Sequence, residues 1–94
     1  MKKPQTITTH IPVQFALTAV PGSHVFVAGT FNQWNPTANP MKDNPASGHF
    51  KTKVMVPKGI LEYKFVVNGE WIVDPLCATY VPNGSGSYNS ALHL

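Results

Sequence analysis

The dipeptide Asn68-Gly69 constrains this chain more than any other feature of it. The favoured two-residue hairpin turn puts both central residues at positive φ, which Asn and Gly adopt at low cost. Before it, Ile60–Val67 alternates, with Leu61, Tyr63, Phe65 and Val67 on one face and Glu62, Lys64 and Val66 on the other. After it, residues 70–73 pair back. A tight antiparallel hairpin is fixed in the second half of the chain, and the remaining segments must build around it.

They carry the same signature. His49–Pro57 places Phe50, Thr52, Val54 and Val56 on one face and Lys51, Lys53 and Met55 on the other, so one side is core and the other wet. Residues 6–19 read as one or two strands, and Pro12 confines them to an edge or a bulge. Val20-Pro21-Gly22-Ser23 has the proline and glycine of a type II turn. Residues 24–30 are almost wholly apolar and predict a strand covered on both faces. Residues 31–48, with Pro36, Pro40, Pro45 and four asparagines, read as a long loop. From Thr37 to Ser47 that loop fits a solvated excursion and a functional segment equally. Residues 76–82 read as irregular or as a short strand. Residues 88–94 alternate again, Tyr88, Ser90, Leu92 and Leu94 against Asn89, Ala91 and His93.

Nine prolines and seven glycines punctuate the 94 residues, and no stretch keeps a helical apolar period. The expectation is one all-β domain over residues 1–94, with residues 1–5 frayed. It is an immunoglobulin-like antiparallel β-sandwich of six to eight short strands. A chain of this size buries roughly 60% of its unfolded surface, enough for two layers but not for a deep cavity.

The chemistry of catalysis is poorly represented. The acids are Asp43, Glu62, Glu70 and Asp74. Glycoside hydrolysis needs two carboxylates flanking one bond, and Glu62 and Glu70, joined through the hairpin, are the one pair placed to try. Two solvated carboxylates are the simpler reading. His10, His24, His49 and His93 lack ligand spacing, so no metal site is expected. Cys77 is the lone cysteine, which excludes an internal disulfide and has no basic neighbour to activate it. Gly84-Ser85-Gly86 lacks the Lys-Ser/Thr of a phosphate loop. No cofactor and no enzyme activity are expected. The formal charge is +3, but the lysines are scattered and arginine is absent, which argues against nucleic acid. No apolar run spans a membrane and no signal peptide is evident, so the expected setting is cytoplasmic.

Two tryptophans remain. Trp34 lies between Gln33 and Asn35 in a polar loop, and Trp71 follows the hairpin tip. Each fits a core plug and an exposed plate equally. An exposed indole suits a sugar, whose ring faces carry C–H groups and whose rim carries hydroxyls. Lys64, set among apolar residues, and nearby asparagines supply the donors and acceptors that a rim needs.

At this point the residues resemble a known family. Val27-Ala28-Gly29-Thr30-Phe31-Asn32-Gln33-Trp34-Asn35, Pro40-Met41, Leu61 to Trp71, Asp74-Pro75 and Gly86-Ser87-Tyr88-Asn89-Ser90 are similar, in that order, to carbohydrate-binding module family 48. That family includes the glycogen-binding domain of AMP-activated protein kinase β subunits and the N-terminal domains of branching and debranching enzymes. The resemblance implies a sandwich that binds α-1,4-linked glucan as glycogen, starch, maltooligosaccharide or cyclodextrin. It implies stacking of glucose on Trp34 and Trp71, hydroxyl bonding by Lys64 and Asn89, and a contribution from Ser87. It implies α-glucan as the partner, with a kinase or glucan-metabolising enzyme as the protein partner. Two departures stand out: Ser85 replaces a leucine that packs on sugar, and the loop after Trp34 is longer, nearer the Asn-Pro-Met pattern of branching enzymes. The alternative is a regulatory or protein-interaction domain of the same fold, with weak or no sugar binding. Single-stranded nucleic acid stacked on the aromatics is a weaker third reading.

Overall fold

The computed structural model describes residues 9–43 and 47–94, and the expected fraying of residues 1–5 lies outside them. The regular elements are strands: β1 (His10–Thr18), β2 (Val25–Gly29), β3 (Pro40–Asp43), β4 (His49–Pro57), β5 (Ile60–Val67), β6 (Glu70–Ile72), β7 (Tyr80–Pro82) and β8 (Tyr88–His93). All pair antiparallel, in the order β1-β4-β3-β2-β5-β8-β7, with β6 also on β5.

This sheet is folded over on itself. β1 and β5 are four places apart in the order, which in a flat sheet would separate them by roughly 19 Å. Yet the ring of Phe15 on β1 meets that of Tyr63 on β5 edge-on, 5.0 Å between centroids. The corner is β3. Its Pro40 and Met41 pair with β2, and its Lys42 and Asp43 pair with β4. Two layers result, β1 and β4 against β2, β5 and β8. Between them lie Phe15 and Leu17, Phe50 and Val56, Val25 and Val27, and Leu61, Tyr63 and Phe65. Each such side chain contributes about 1.5–3 kcal/mol when fully buried. The expected all-β sandwich is what forms.

β3 corrects one expectation, since it lies inside the stretch 31–48 read as continuous loop. Four residues opening on a proline give no period to detect. Proline is compatible with the first residue of a strand, where a ladder N–H can be missing. Pro12 sits on β1, which is an edge strand as its proline requires.

The hairpin forms as its sequence dictates. Asn68 and Gly69 have φ of 50° and 85°. The Asn68 side chain also accepts a bond from the His24 N–H at 2.9 Å, tying the hairpin to the start of β2.

The two edges of β5 are used differently. One carries β2 from Tyr63 to Val67. The other is shared end to end, with β8 on residues 60–63 and β6 on residues 65–67. Lys64 stands where the partner changes, so β6 and β8 diverge beside it in a fork.

Candidate functional site: a cleft on the outer face of β5

The outer face of β5 carries Glu62, Lys64 and Val66. Across from Lys64 on β2 is Ala28, and both are buried on this side of the sheet. A lysine that is only 8% exposed needs something above it. The cover comes from three directions: the loop after β2, the hairpin β5–β6, and the turn into β8.

The loop after β2 delivers Trp34. Gly29 ends the strand where β2 presses on β5: a Cβ there would lie 2.4 Å from the Glu62 carbonyl oxygen, so only glycine fits. The chain then turns tightly, with the Asn32 and Trp34 N–H groups both donating to the Gly29 carbonyl, at 3.1 and 2.9 Å. Gln33 and Trp34 take φ of 53° and 59°. Left-handed backbone costs a non-glycine residue on the order of 1–2 kcal/mol. Asn32 offsets that strain. Its Oδ1 accepts from the Gly29 N–H at 3.0 Å, and its Nδ2 donates to the Val27 carbonyl at 3.2 Å and to Asn39 Oδ1 at 2.6 Å. Trp34 emerges half-buried. Strain concentrated at the residue that carries the indole marks this loop as a positioning device.

Trp71 arrives on β6, paired with Val66 and therefore on the outer face. It is 41% exposed. Asn89 arrives on β8, buried, and its Nδ2 donates to Glu62 Oε1 at 3.0 Å. That bond leaves Oδ1 as an acceptor. Lys64 Nζ donates to Ser87 Oγ at 3.2 Å, one of the three N–H donors it possesses.

Trp34, Lys64, Trp71 and Asn89 line one open cleft of about 750 Å³, within the roughly 300–1,000 Å³ usual for small-ligand sites. Ser87 lies beside it, lining an adjoining cleft with Lys64 and Trp71. Ser85 lines the first cleft and is exposed. Two contributors escaped the sequence reading. Glu62 orients Asn89. Asn83 shapes the turn before β8, its Oδ1 accepting from the Ser85 and Ser87 N–H groups at 2.9 and 3.2 Å. An asparagine opening a Gly-Ser-Gly run is the one signal that pointed to it, since its side chain readily bonds backbone two residues on. The cleft holds flat apolar plates, one cation and one carboxylate, and so is matched to an uncharged ligand with a polar rim.

Glu62 and Glu70 do not flank a common bond. Glu70 pairs with Val67, on the opposite face of the sheet from Glu62. Five residues along β5 set the two positions roughly 17 Å apart. Among the described residues no group of three His, Cys, Asp or Glu is arranged to hold a metal. The described residues contain no helix long and apolar enough to cross a membrane.

Beneath the fork lies a buried polar network. The Tyr63 hydroxyl donates to Asp74 Oδ2 at 2.6 Å, the Asp74 N–H to Ser90 Oγ at 2.8 Å, and the Tyr80 hydroxyl to the Asp74 carbonyl at 2.7 Å. Burial, reinforced by the Asp74 carboxylate, pushes the Tyr63 phenol far above its ordinary value, so it remains a neutral donor. The network fastens the chain leaving β6 to β8 and so fixes where Trp71 stands.

Comparison with known proteins agrees with this architecture. Residues 11–94 match the family described as the glycogen recognition site of AMP-activated protein kinase. The 5'-AMP-activated protein kinase subunit beta-2 of Mus musculus is 32% identical over 73 residues, which are 78% of this chain and 26% of that protein. The Homo sapiens subunit beta-2 is likewise 32% identical over 73 residues, 25% of its length. Subunit beta-1 of Sus scrofa is 33% identical over 54 residues, covering 57% of this chain and 41% of that protein. The chain thus spans about a quarter of the beta-2 subunits it matches. With the match running from β1 to the end of the sandwich, the chain belongs to the family of the glycogen recognition site of AMP-activated protein kinase.

Proposed function

We propose that this chain is a non-catalytic module that binds α-1,4-linked glucan, as glycogen, starch, maltooligosaccharide or cyclodextrin, in the cleft over Lys64. Trp34 and Trp71 stack on the C–H faces of glucose rings. Lys64 donates to hydroxyls through N–H groups not engaged by Ser87, Asn89 accepts through Oδ1, and Ser87 assists from the side. The observation that carries this reading is the convergence of Trp34, Lys64, Trp71 and Asn89 on one cleft, although 55 residues separate the first from the last. Family membership supports the same ligand class. A shallow site with few anchors implies affinity in about the micromolar to millimolar range.

The test is titration with β-cyclodextrin followed by tryptophan fluorescence, with retardation in glycogen-containing native gels alongside. Trp34→Ala and Trp71→Ala should each lower affinity by at least about tenfold, or about 1.4 kcal/mol. Wild type that neither shifts in fluorescence nor is retarded would defeat the reading.

A second reading adds to the first. The relatives are named as kinase subunits, which supports a kinase as protein partner; a glucan-metabolising enzyme as partner and a cytoplasmic setting are part of the same proposal and rest on the family resemblance alone. Capture of such a partner that survives Trp34→Ala would separate that contact from sugar binding.

A further inference from the structure

The fork between β6 and β8 opens a second cleft, of about 430 Å³, on the far side of Trp71. We propose that this cleft is a further glucan subsite, so that a chain resting on Trp34 and Trp71 continues past Trp71 and lays its next glucose units against Tyr88. The proposal rests on the glucan reading and adds to it a preference for longer linear chains.

Three observations carry it. First, the two clefts adjoin, since Lys64 and Trp71 line both. Second, the new cleft repeats the chemistry of the first. Trp71, Tyr80 and Tyr88 are exposed aromatics, 41%, 42% and 54% open, and all three line it. Adjacent exposed aromatics on a small domain mark a binding surface. Its polar rim is Lys64 Nζ and Ser87 Oγ, already joined to each other at 3.2 Å. Plates with a hydroxyl and an ammonium at the edge fit sugar rings, and one cation is too few for a polyanion. Third, the cleft is preformed. Tyr80 is held by its hydroxyl on the Asp74 carbonyl at 2.7 Å. Tyr88 is the first residue of β8, paired with Pro82. A ring fixed as that of Tyr80 is, and a backbone fixed as that of Tyr88 is, lose little freedom when a sugar settles on them.

The experiment compares dissociation constants for maltotriose and maltoheptaose, by calorimetry, in wild type, Tyr88→Ala and Tyr88→Phe. Wild type is expected to favour maltoheptaose by about fivefold more than Tyr88→Ala does, which corresponds to one aromatic contact. Tyr88→Ala should leave maltotriose affinity unchanged, and Tyr88→Phe should restore the preference for length because the plate survives. Tyr88 is exposed, so Tyr88→Ala is expected to fold, and its melting curve serves as the check. If Tyr88→Ala keeps the full preference, or if wild type has none while binding maltotriose, the subsite is overturned and the glucan reading stands. If wild type binds neither sugar, the glucan reading falls and takes the subsite with it. If Tyr88→Ala binds both sugars as wild type does but loses capture of a kinase, the cleft serves a protein partner and the proposal fails.

Discussion

Asn32 stands outside the cleft, yet the aim of Trp34 depends on it. Trp34 is aimed by a turn whose two left-handed residues are held by backbone bonds to Gly29 and by three side-chain bonds from Asn32. Removing that side chain leaves the Gly29 N–H and the Val27 carbonyl without it and frees the strained turn to relax. Asn32→Ala should therefore cost about 2–4 kcal/mol, two to three ordinary hydrogen bonds with their desolvation. Sugar affinity should fall as well at temperatures where the variant is folded, because an indole that is no longer aimed must be ordered on binding. Urea unfolding and β-cyclodextrin titration read the two effects. A variant that lost stability but kept full affinity would show that the turn shapes the fold and not the site.

Among the elements, β5 organises both the core and the cleft. Its inner face supplies Leu61, Tyr63 and Phe65, and its outer face supplies Glu62 and Lys64. The fork beside Lys64 stays open because Asp74 is fastened from three sides. Tyr63→Phe keeps the ring packing and removes the donor to a buried carboxylate. It should cost about 1.5–3 kcal/mol, or about 10 °C in Tm for a domain of this size. A thermal melt that moved by less than 2 °C, about 0.5 kcal/mol or less, would mean that the carboxylate had found another partner. This is also the scale that decides what the sequence could reveal. β4 and β5 were legible because period-2 alternation runs through eight or nine residues, and the hairpin because Asn-Gly has few other uses. β3 was not, because four residues beginning at a proline carry no period. Trp34, Lys64 and Trp71 stood out as types in unusual surroundings, whereas Asn89 came only from the resemblance to the family. Glu62 did not, because its role exists only once β8 brings Asn89 to it from 27 residues away. The fork is a change of partner along one strand edge, and local sequence carries no record of such a change.

At the scale of the whole molecule, charge separates the ligands that an aromatic cleft admits. The chain has a formal charge of +3, without arginine, from seven lysines against four acids. In the cleft Lys64 is accompanied by Glu62, so the local field is nearly balanced. A single-stranded nucleic acid stacked on the same tryptophans would release counterions on binding, and its affinity would fall steeply with salt. A neutral glucan releases none. Its hydrogen bonds to Lys64 and Asn89 are short-range and little affected by a Debye length that shrinks from about 14 Å at 50 mM to about 7 Å at 200 mM salt. The affinity for β-cyclodextrin should accordingly change by less than about twofold between those two salt concentrations. An oligonucleotide neutralising even three phosphates would lose roughly an order of magnitude or more over the same interval. A cyclodextrin affinity that fell tenfold would mean that charge, and not the tryptophan plates, holds the ligand, and the placement of the glucan over Lys64 would have to be abandoned.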